Sequence, residues 1–175
     1  QRLKSGIIQR HHDFRYQGKG KAYGQKLFLE RAYFLTKPSG RIGIIVPNGI
    51  YSDAGTRQLR ELFLNQCAWE WLFSFENRNK IFDIHRSYKF NPLIIRKGGT
   101  TEQLDTAFMR QDINDWENAE NIAFNYPVEK IARFSPDSMA ILELNSAKEL
   151  ETLSKIYSNS VLLGSEEKDS WNISL

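Results

Sequence analysis

Residues 73–90, with the sequence FSFENRNKIFDIHRSYKF, concentrate side chains that are suited to binding. They include five aromatic residues, four basic residues and one histidine. Basic side chains attract anions, and the faces of aromatic rings stack on other planar groups. The basic residues are Arg78, Lys80, Arg86 and Lys89. We interpret this stretch as a binding loop.

Two predicted strands hold this loop. Residues 69–75 alternate between apolar and polar side chains, whereas residues 91–95 form a continuous apolar run. Both patterns favour strands, so we expect a strand pair joined by a long loop. Long loops between strands are usually functional or disordered. Because the loop contains Phe82, Ile84 and Tyr88, it carries too much apolar surface for a disordered segment.

The composition indicates one ordinary globular core. Hydrophobic residues make up 41% of the 175 residues and charged residues 26%, as in typical soluble proteins. The first residues include no initiator methionine and no signal-peptide core, so we expect a piece of a longer protein. Cys67 is the single cysteine, which favours a small core residue in a reducing cytoplasm.

The charges are distributed unevenly along the chain. Residues 1–97 contain 18 Lys and Arg against 7 Asp and Glu, whereas residues 98–175 contain 6 against 14. A basic half of this size is typical of a protein that binds nucleic acid. A solvated basic face that docks on an acidic one explains the same counts. Charge alone leaves both interpretations open.

A helix followed by a strand is predicted next to the basic N-terminal region. Residues 22–36 have a broad apolar side that includes Tyr23, Leu27 and Phe34, which predicts a largely buried helix. The sequence KPSG at residues 37–40 ends it, with Gly40 expected in the left-handed turn. Residues 41–47 (RIGIIVP) predict a strand covered on both faces. This order favours an α/β unit with a parallel sheet.

Polar residues follow this strand at its carboxyl end, where ligands bind in open α/β sheets. They are Asn48, Tyr51, Ser52 and Asp53. Asp53 or Ser52 is expected to cap the next helix, residues 54–66. Neither the GKGK sequence of residues 18–21 nor the His11–His12 pair has the spacing of a phosphate loop or a metal site.

The acidic part of the chain predicts shorter elements. We expect a strand at 104–109, an extended segment at 122–127, a helical turn at 128–134 and a helix at 146–157. Residues 135–137 (SPD) are the best candidate for a domain boundary.

Three stretches of the sequence resemble the later part of DNA adenine methyltransferases. They are GRIGIIVPNGIYSDAGTRQLRELFL, FENRNKIFDIHRSYKF and LIIRKGG, within a similarity that runs from about residue 16 to residue 134. The most similar group is the fused restriction–modification type, type IIG, together with related phage-defence methylases. Residues 146–175 also look like the entry to the target-recognition domain of that group.

The resemblance implies the C-terminal half of a Rossmann-like α/β methyltransferase sheet with an antiparallel strand pair. It implies S-adenosylmethionine as cofactor and methylation of the exocyclic amino group of an adenine that is rotated out of double-stranded DNA. The family's Gly-rich cofactor motif and Asn-Pro-Pro-Tyr motif are missing, since the single Asn-Pro is Asn91-Pro92. The catalytic and most of the cofactor residues are therefore expected before Gln1, and the isolated fragment is expected to be inactive.

By this resemblance, Phe82 stacks on the flipped base. His85, Asn48 and Tyr51 are candidates to line the same pocket, while Arg78, Lys80, Arg86 and Lys89 are candidates for the DNA backbone. Structural roles compete with these assignments. Phe82 is alternatively a core anchor of the loop, His85 is alternatively a scaffold residue, and Glu76 with Arg78 is alternatively a surface ion pair.

The predicted organisation has two parts. Residues 1–137 form the C-terminal part of the catalytic domain, and residues 138–175 form a linker helix and the beginning of a target-recognition domain. The expected partners are DNA, the missing N-terminal half and the target-recognition domain, with no membrane. A non-catalytic DNA-recognition or interaction module is the alternative function, and an unrelated nucleotide-binding α/β domain ranks last because no Gly-rich phosphate loop is present.

Overall fold

The computed structural model describes residues 14–18 and 23–162. The predictions for His11, His12, residues 19–22 and residues 163–175 lie outside this part of the chain. None of the helices in the described ranges is both long and apolar enough to cross a bilayer.

A five-stranded mixed sheet forms the centre of the fold, with the strand order β1-β3-β2-β4-β5. The strands are β1 (Arg41–Pro47), β2 (Cys67–Glu76), β3 (Lys89–Lys97), β4 (Gln103–Arg110) and β5 (Phe124–Pro127). β3 pairs antiparallel with both β1 and β2, β2 pairs parallel with β4, and β4 pairs antiparallel with β5. Therefore β1, β2 and β4 all point in the same direction.

The predicted antiparallel strand pair and the mixed α/β class are confirmed. β2 and β3 pair with Phe75 opposite Phe90 and Glu76 opposite Lys89. The expectation of a simple parallel sheet is wrong for β1, because the returning strand β3 lies between β1 and β2. The short apolar runs contain no signal that distinguishes a sheet in which β1 lies directly beside β2 from one in which β3 lies between them.

Six helices surround the sheet in the described residues. They are α1 (Gly24–Leu35), α2 (Gly49–Ser52), α3 (Arg57–Gln66), α4 (Ala119–Ile122), α5 (Val128–Phe134) and α6 (Ala147–Ser158). The predicted inward residues of α3, among them Leu59, Leu62 and Phe63, are buried as expected. The predicted side-chain cap is wrong, since Asp53 precedes a short 3-10 turn but makes no capping bond with its carboxylate.

The turn between α1 and β1 differs in detail from the prediction. Ser39, not Gly40, adopts the left-handed conformation, with φ 61°. The amide of Ser39 donates to the carbonyl of Lys97, and the amide of Lys97 donates to the carbonyl of Gly40. A side chain at Gly40 would meet Thr36 and Lys37 at 2.7 and 2.9 Å. Gly40 is therefore needed for close packing and not for its backbone angle.

The predictions of a largely buried helix α1 and of a strand β1 covered on both faces are wrong. In α1, Leu29 is buried, but Phe28 and Leu35 are 70% and 72% exposed. In β1, Ile42 and Val46 are buried while Ile45 is 55% exposed. Covered and exposed residues alternate along β1, so elements of the described chain pack on one of its faces and leave much of the other open.

The core consists of two clusters on opposite faces of the sheet. The larger cluster includes Trp69, Leu93 and Tyr126 and lies under the helices. The smaller cluster contains Phe73, Phe75, Phe90 and Ala107. Trp116 packs edge-on against Phe73 with ring centroids 5.3 Å apart. This smaller cluster lies next to the loop between β2 and β3 and supports it.

Residues after the predicted domain boundary pack on the same core. Ile141 and Leu150 are buried within the larger cluster, and the amide of Ile141 donates to the carbonyl of Tyr51 at 2.9 Å. The described residues 138–158 therefore lie against the preceding part. A domain boundary at residues 137 and 138 stays a prediction.

Candidate functional site

The loop that connects β2 to β3 lies at the end of the sheet where β2 finishes and β3 begins. Because β1, β2 and β4 run in the same direction, their carboxyl ends meet there together with the start of β3. The amide of Asn48, directly after β1, donates to the carbonyl of Lys89 at 3.3 Å. The structure therefore brings the segment after β1 next to the base of the loop. Carboxyl edges of this kind hold ligands in open α/β sheets.

Asn77 holds the loop from within. This residue is fully buried, and its side-chain oxygen accepts a hydrogen bond from the amide of Phe82 at 2.9 Å. Its side-chain nitrogen donates to the carbonyls of Phe82 and Ile84, both at 3.0 Å. Sequence reasoning did not single out Asn77. An asparagine after a strand is a general turn signal, and its burial depends on the completed loop.

Phe82 is both anchored to the core and partly exposed. Its ring contacts Phe90 edge-on, with centroids 4.9 Å apart and an interplanar angle of 74°. Phe90 in turn stacks on Phe75 at 5.5 Å. Phe82 nevertheless remains 39% exposed. The ring is thus anchored to the smaller cluster and still presents apolar aromatic surface at the sheet edge.

Three of the four predicted backbone-binding cations lie on the surface of the loop. Arg78, Lys80 and Arg86 are exposed. The Nε atom of Arg78 donates to Glu76 Oε2 at 2.8 Å, which is the surface pair expected as an alternative. The Nε atom of Arg86 donates to the carbonyl of Arg78 at 3.0 Å. The loop therefore presents positive charge beside the exposed ring of Phe82.

Lys89 has a different environment from the other three. Its ammonium forms an ion pair with Glu143 and lies 3.7 Å from Glu76 Oε1. Its side chain is only 27% exposed. Two carboxylates thus compensate its charge within the chain, which leaves less positive potential for an external anion.

His85 lies at the surface, and Asn48 is partly buried. His85 Nδ1 lies 2.7 Å from Ser87 Oγ and accepts from the amide of Ser87 at 3.3 Å. This arrangement orients the ring on the loop and matches the scaffold interpretation. Asn48 Nδ2 donates to Ser52 Oγ in a long contact of 3.4 Å. Their predicted contacts with a base stay predictions.

Comparison with known proteins shows which family the sequence resembles. The sequence of residues 3–82 matches the family model described as Eco57I restriction-modification methylase. The chain matches a fragment of a restriction–modification methylase. The resemblance predicted from the sequence is therefore confirmed. No curated protein matches the chain by sequence.

Solved structures of restriction–modification proteins share the fold of this chain. A chain from a type I system has a TM-score of 0.54 and 16% identity, over 82% of this chain and 41% of its own length. The M protein of the type I enzyme EcoKI has a TM-score of 0.57 and 12% identity, over 81% of this chain and 46% of its own length. The type IIG restriction endonuclease BpuSI has a TM-score of 0.50 and 17% identity, over 73% of this chain and 17% of its own length. This chain thus spans less than half of each of these proteins.

Tyr51 is an internal residue. Its side chain is fully buried, and its hydroxyl donates to Glu143 Oε1 at 2.6 Å and lies 2.7 Å from Ser74 Oγ. Burial, reinforced by the hydrogen bond to Glu143, raises the pKa of Tyr51 far above its ordinary value. The structure therefore makes Tyr51 a buried link between α2, β2 and residue 143. Its predicted place in a base pocket is untested.

A cleft lies between α1 and the carboxyl end of β1. Its volume is about 270 Å³, and the residues that line it include Lys26, Leu29, Val46, Ile50 and Asp53. Lys26 is buried, and its ammonium donates to the carbonyl of Gly55 at 2.9 Å. Burial lowers the pKa of Lys26, while Asp53 and Glu30 oppose that change. Sequence reasoning missed Lys26, because a lysine inside an amphipathic helix is ordinarily solvated.

Among the residues that the structure describes, no group of His, Cys, Asp or Glu side chains is arranged to hold a metal ion. The groups that the structure does bring to this end of the sheet are suited to contact with planar and anionic ligands. They are one exposed aromatic ring, three exposed cations and amide groups close by.

Proposed function

We propose that this chain is the base-holding half of a site-specific DNA adenine methyltransferase of a restriction–modification system. The observation that carries the proposal is the loop between β2 and β3. It presents Phe82 beside exposed Arg78, Lys80 and Arg86, at the carboxyl edge of a sheet shared with restriction–modification methyltransferases. The family match over residues 3–82 supports the same assignment.

Phe82 supplies the stacking surface in this proposal. An adenine rotated out of a duplex loses its stacking and pairing interactions. Stacking on an aromatic ring is worth about 1–3 kcal/mol per base. The exposed part of the Phe82 ring is available for such contact, while the edge-on contact with Phe90 limits where the ring points. His85 and Asn48 belong to the proposed surroundings of the base.

The exposed cations of the loop hold the DNA backbone in this proposal. Arg78, Lys80 and Arg86 lie on the same short segment as Phe82. Arginine and lysine contacts to phosphates set the position of a protein on DNA without reading its sequence. Recognition of a specific sequence is accordingly assigned to a target-recognition domain that follows this part.

S-adenosylmethionine is the methyl donor that the methyltransferase family uses, and the cleft beside β1 is a poor match for it. A cleft of about 270 Å³ lies below the range of about 300–1,000 Å³ for small-molecule sites. The ammonium of buried Lys26 on its wall already donates to the carbonyl of Gly55, so it is engaged within the chain. We therefore place most of the cofactor site and the catalytic residues on the remainder of the methyltransferase.

The apolar surface near β1 is proposed as the contact for that remainder. β1 forms one edge of the described sheet, and Ile45, Phe28 and Leu35 are strongly exposed there and on α1. Open strand edges and exposed apolar side chains of this size are commonly covered by other elements. An N-terminal half that pairs with β1 and packs on α1 would cover them.

Sequencing of methylated bases tests the proposed function whatever the recognition sequence is. The full-length polypeptide is produced in a host that lacks adenine methylation, and N6-methyladenine is mapped on the host DNA by single-molecule sequencing. We expect methylation at one defined sequence. A protein that binds DNA and methylates nothing would instead be a DNA-recognition module, and the proposal would be wrong.

Variants of Phe82 then test its role on the identified sequence. Phe82→Leu keeps apolar contact with Phe90 and loses the aromatic face, so kcat/KM should fall about 5- to 150-fold, the equivalent of 1–3 kcal/mol. Phe82→Trp should retain most activity. Ile84→Ala is the control, because Ile84 is also exposed on the loop but has no aromatic ring. Unchanged kcat/KM in Phe82→Leu would exclude the stacking role.

A further inference from the structure

The buried side chain of Asn77 is bonded to the loop that carries Phe82. Its oxygen accepts from the amide of Phe82, and its nitrogen donates to the carbonyls of Phe82 and Ile84. The carbonyl of His85 lies 3.4 Å from the same nitrogen. An asparagine amide has one acceptor and two donor hydrogens, so this one side chain uses both of its donors and its acceptor on the middle of the loop.

The backbone of Asn77 also connects the two ends of this loop. Its amide donates to the carbonyl of Tyr88 at 2.9 Å, and its carbonyl accepts from the amide of Lys80 at 3.0 Å. Lys80 adopts the left-handed conformation with φ 53°, which turns the chain sharply after Asn77. The start, the middle and the end of the loop are thus all bonded to one residue.

These bonds fix the backbone on both sides of the Phe82 ring. Both the amide and the carbonyl of Phe82 are bonded to Asn77, and the ring itself meets Phe90. A loop that is already ordered loses less conformational entropy when it binds than one that must become ordered. The arrangement therefore prepares Phe82 for contact with a flat ligand before the ligand arrives.

We propose that Asn77 is a positioning residue that holds Phe82 in its base-stacking orientation and thereby determines how well the protein holds a flipped base. The proposal rests on the proposed function. It deepens that function by assigning the order of the loop to a residue that itself touches no DNA. A purely structural role is the competing explanation, in which Asn77 stabilises the whole fold to the same extent as any other buried polar residue.

Hydrogen exchange of the free protein provides the first test, since it does not depend on DNA. Asn77→Ala should accelerate exchange of the Phe82 amide about tenfold or more and leave the amides of the β2–β3 pairing unchanged. Asn79→Ala is the matched control. Asn79 lies in the same loop and is exposed, and its side chain donates to the carbonyl of Gln111 at 3.2 Å. The Asn79→Ala variant should leave the exchange rate of the Phe82 amide unchanged.

A double-mutant cycle on methylation provides the second test. If Asn77 acts through Phe82, Asn77→Ala should lower kcat/KM about tenfold in the wild-type background and have little further effect in a Phe82→Ala background. Equal effects of Asn77→Ala in the two backgrounds would overturn the proposal and leave the proposed function intact. No effect of Phe82→Ala itself would instead contradict the proposed function.

A second variant covers the case in which Asn77→Ala unfolds. Asn77→Asp keeps the size of the side chain and the acceptor for the Phe82 amide, and it loses the donors to the loop carbonyls. It should accelerate exchange of the Ile84 amide, which donates to the carbonyl of Phe82 at 2.9 Å. It should also lower the melting temperature while the protein remains folded, because a carboxyl group buried against carbonyl oxygens costs free energy. If both variants unfold the whole protein, Asn77 stabilises the entire fold and the proposal is wrong.

Discussion

The ammonium of Lys89 pairs with the carboxylate of Glu143, and the same carboxylate accepts a hydrogen bond from the buried hydroxyl of Tyr51. Residue 143 lies beyond the predicted domain boundary, whereas Lys89 begins β3 and Tyr51 lies in α2. Glu143 therefore ties the segment after α5 to the carboxyl edge of the sheet. This relationship makes Lys89 part of the internal structure at the edge of the candidate site.

Removal of Glu143 should destabilise the fold. Glu143→Ala removes the charged acceptor of the Tyr51 hydroxyl, and a hydrogen bond to a charged group contributes about 1.5–3 kcal/mol. The exposed part of the ion pair with Lys89 adds about 0–1 kcal/mol at most. Urea unfolding measures the loss. Glu129→Ala, at an exposed position of α5, is the control and should change stability by less than about 0.5 kcal/mol.

Lys80 and Lys89 should differ in their contributions to DNA binding. Lys80 is exposed, so Lys80→Gln should reduce the slope of log K against log salt by about 0.9 for duplex DNA, the value for one phosphate contact. Lys89→Gln should leave the slope unchanged, because Glu143 and Glu76 already surround this ammonium. The measurement is a salt titration of DNA affinity. Equal changes in both variants would show that Lys89 leaves its ion pair to contact phosphate.

Tyr51 should make the protein sensitive to alkaline pH. Its folded-state pKa is raised by burial, so the unfolded chain releases a proton above pH about 10 while the folded chain keeps it. The stabilisation is complete below the unfolded pKa and decreases as the pH rises, by about 1.4 kcal/mol per pH unit. In Tyr51→Phe the free energy of unfolding should therefore decrease less steeply with pH between about pH 10 and 11.5 than in the wild type. Parallel curves for both proteins in that range would contradict the assignment.

Arg60 should be among the most sensitive positions of α3. It is fully buried, and its guanidinium donates to the carbonyls of Ile50, Asp53 and Ser138. Burial lowers the pKa of Arg60 to about 10. Arg60→Lys cannot reproduce this forked set of bonds, and hydrogen bonds to a charged group contribute about 1.5–3 kcal/mol each. We expect a loss of about 3 kcal/mol in unfolding free energy.

Arg57→Lys is the matched control for Arg60. Arg57 lies on the same helix, is 41% exposed and pairs with Glu61 at 2.8 Å. It also donates to the carbonyl of Asp137, but this hydrogen bond is exposed and water can replace it. A surface ion pair is worth about 0–1 kcal/mol, and lysine retains it, so thermal unfolding should hardly change. A similar loss in both variants would mean that the carbonyls around Arg60 do not set its contribution.

The loop and its flanking strands were accessible from the sequence, because alternation and apolar runs are local signals. β2, β3, β4 and α3 lie close to where the pattern predicts them. The family resemblance was accessible for the same reason, since FENRNKIFDIHRSYKF is a continuous string. Burial was less predictable. Phe28 and Ile45 are as apolar as core residues, and only the completed packing leaves them exposed.

The sequence by itself determined the elements, the strand pair and the aromatic and basic character of the loop. These depend on residues that are neighbours in the chain. Only the tertiary structure decided that β3 lies between β1 and β2, that Asn77 fills the loop and that Glu143 binds Lys89 and Tyr51. Such contacts join residues far apart in the chain, and a buried amide or carboxylate is satisfied by whichever partners the folded backbone brings to it.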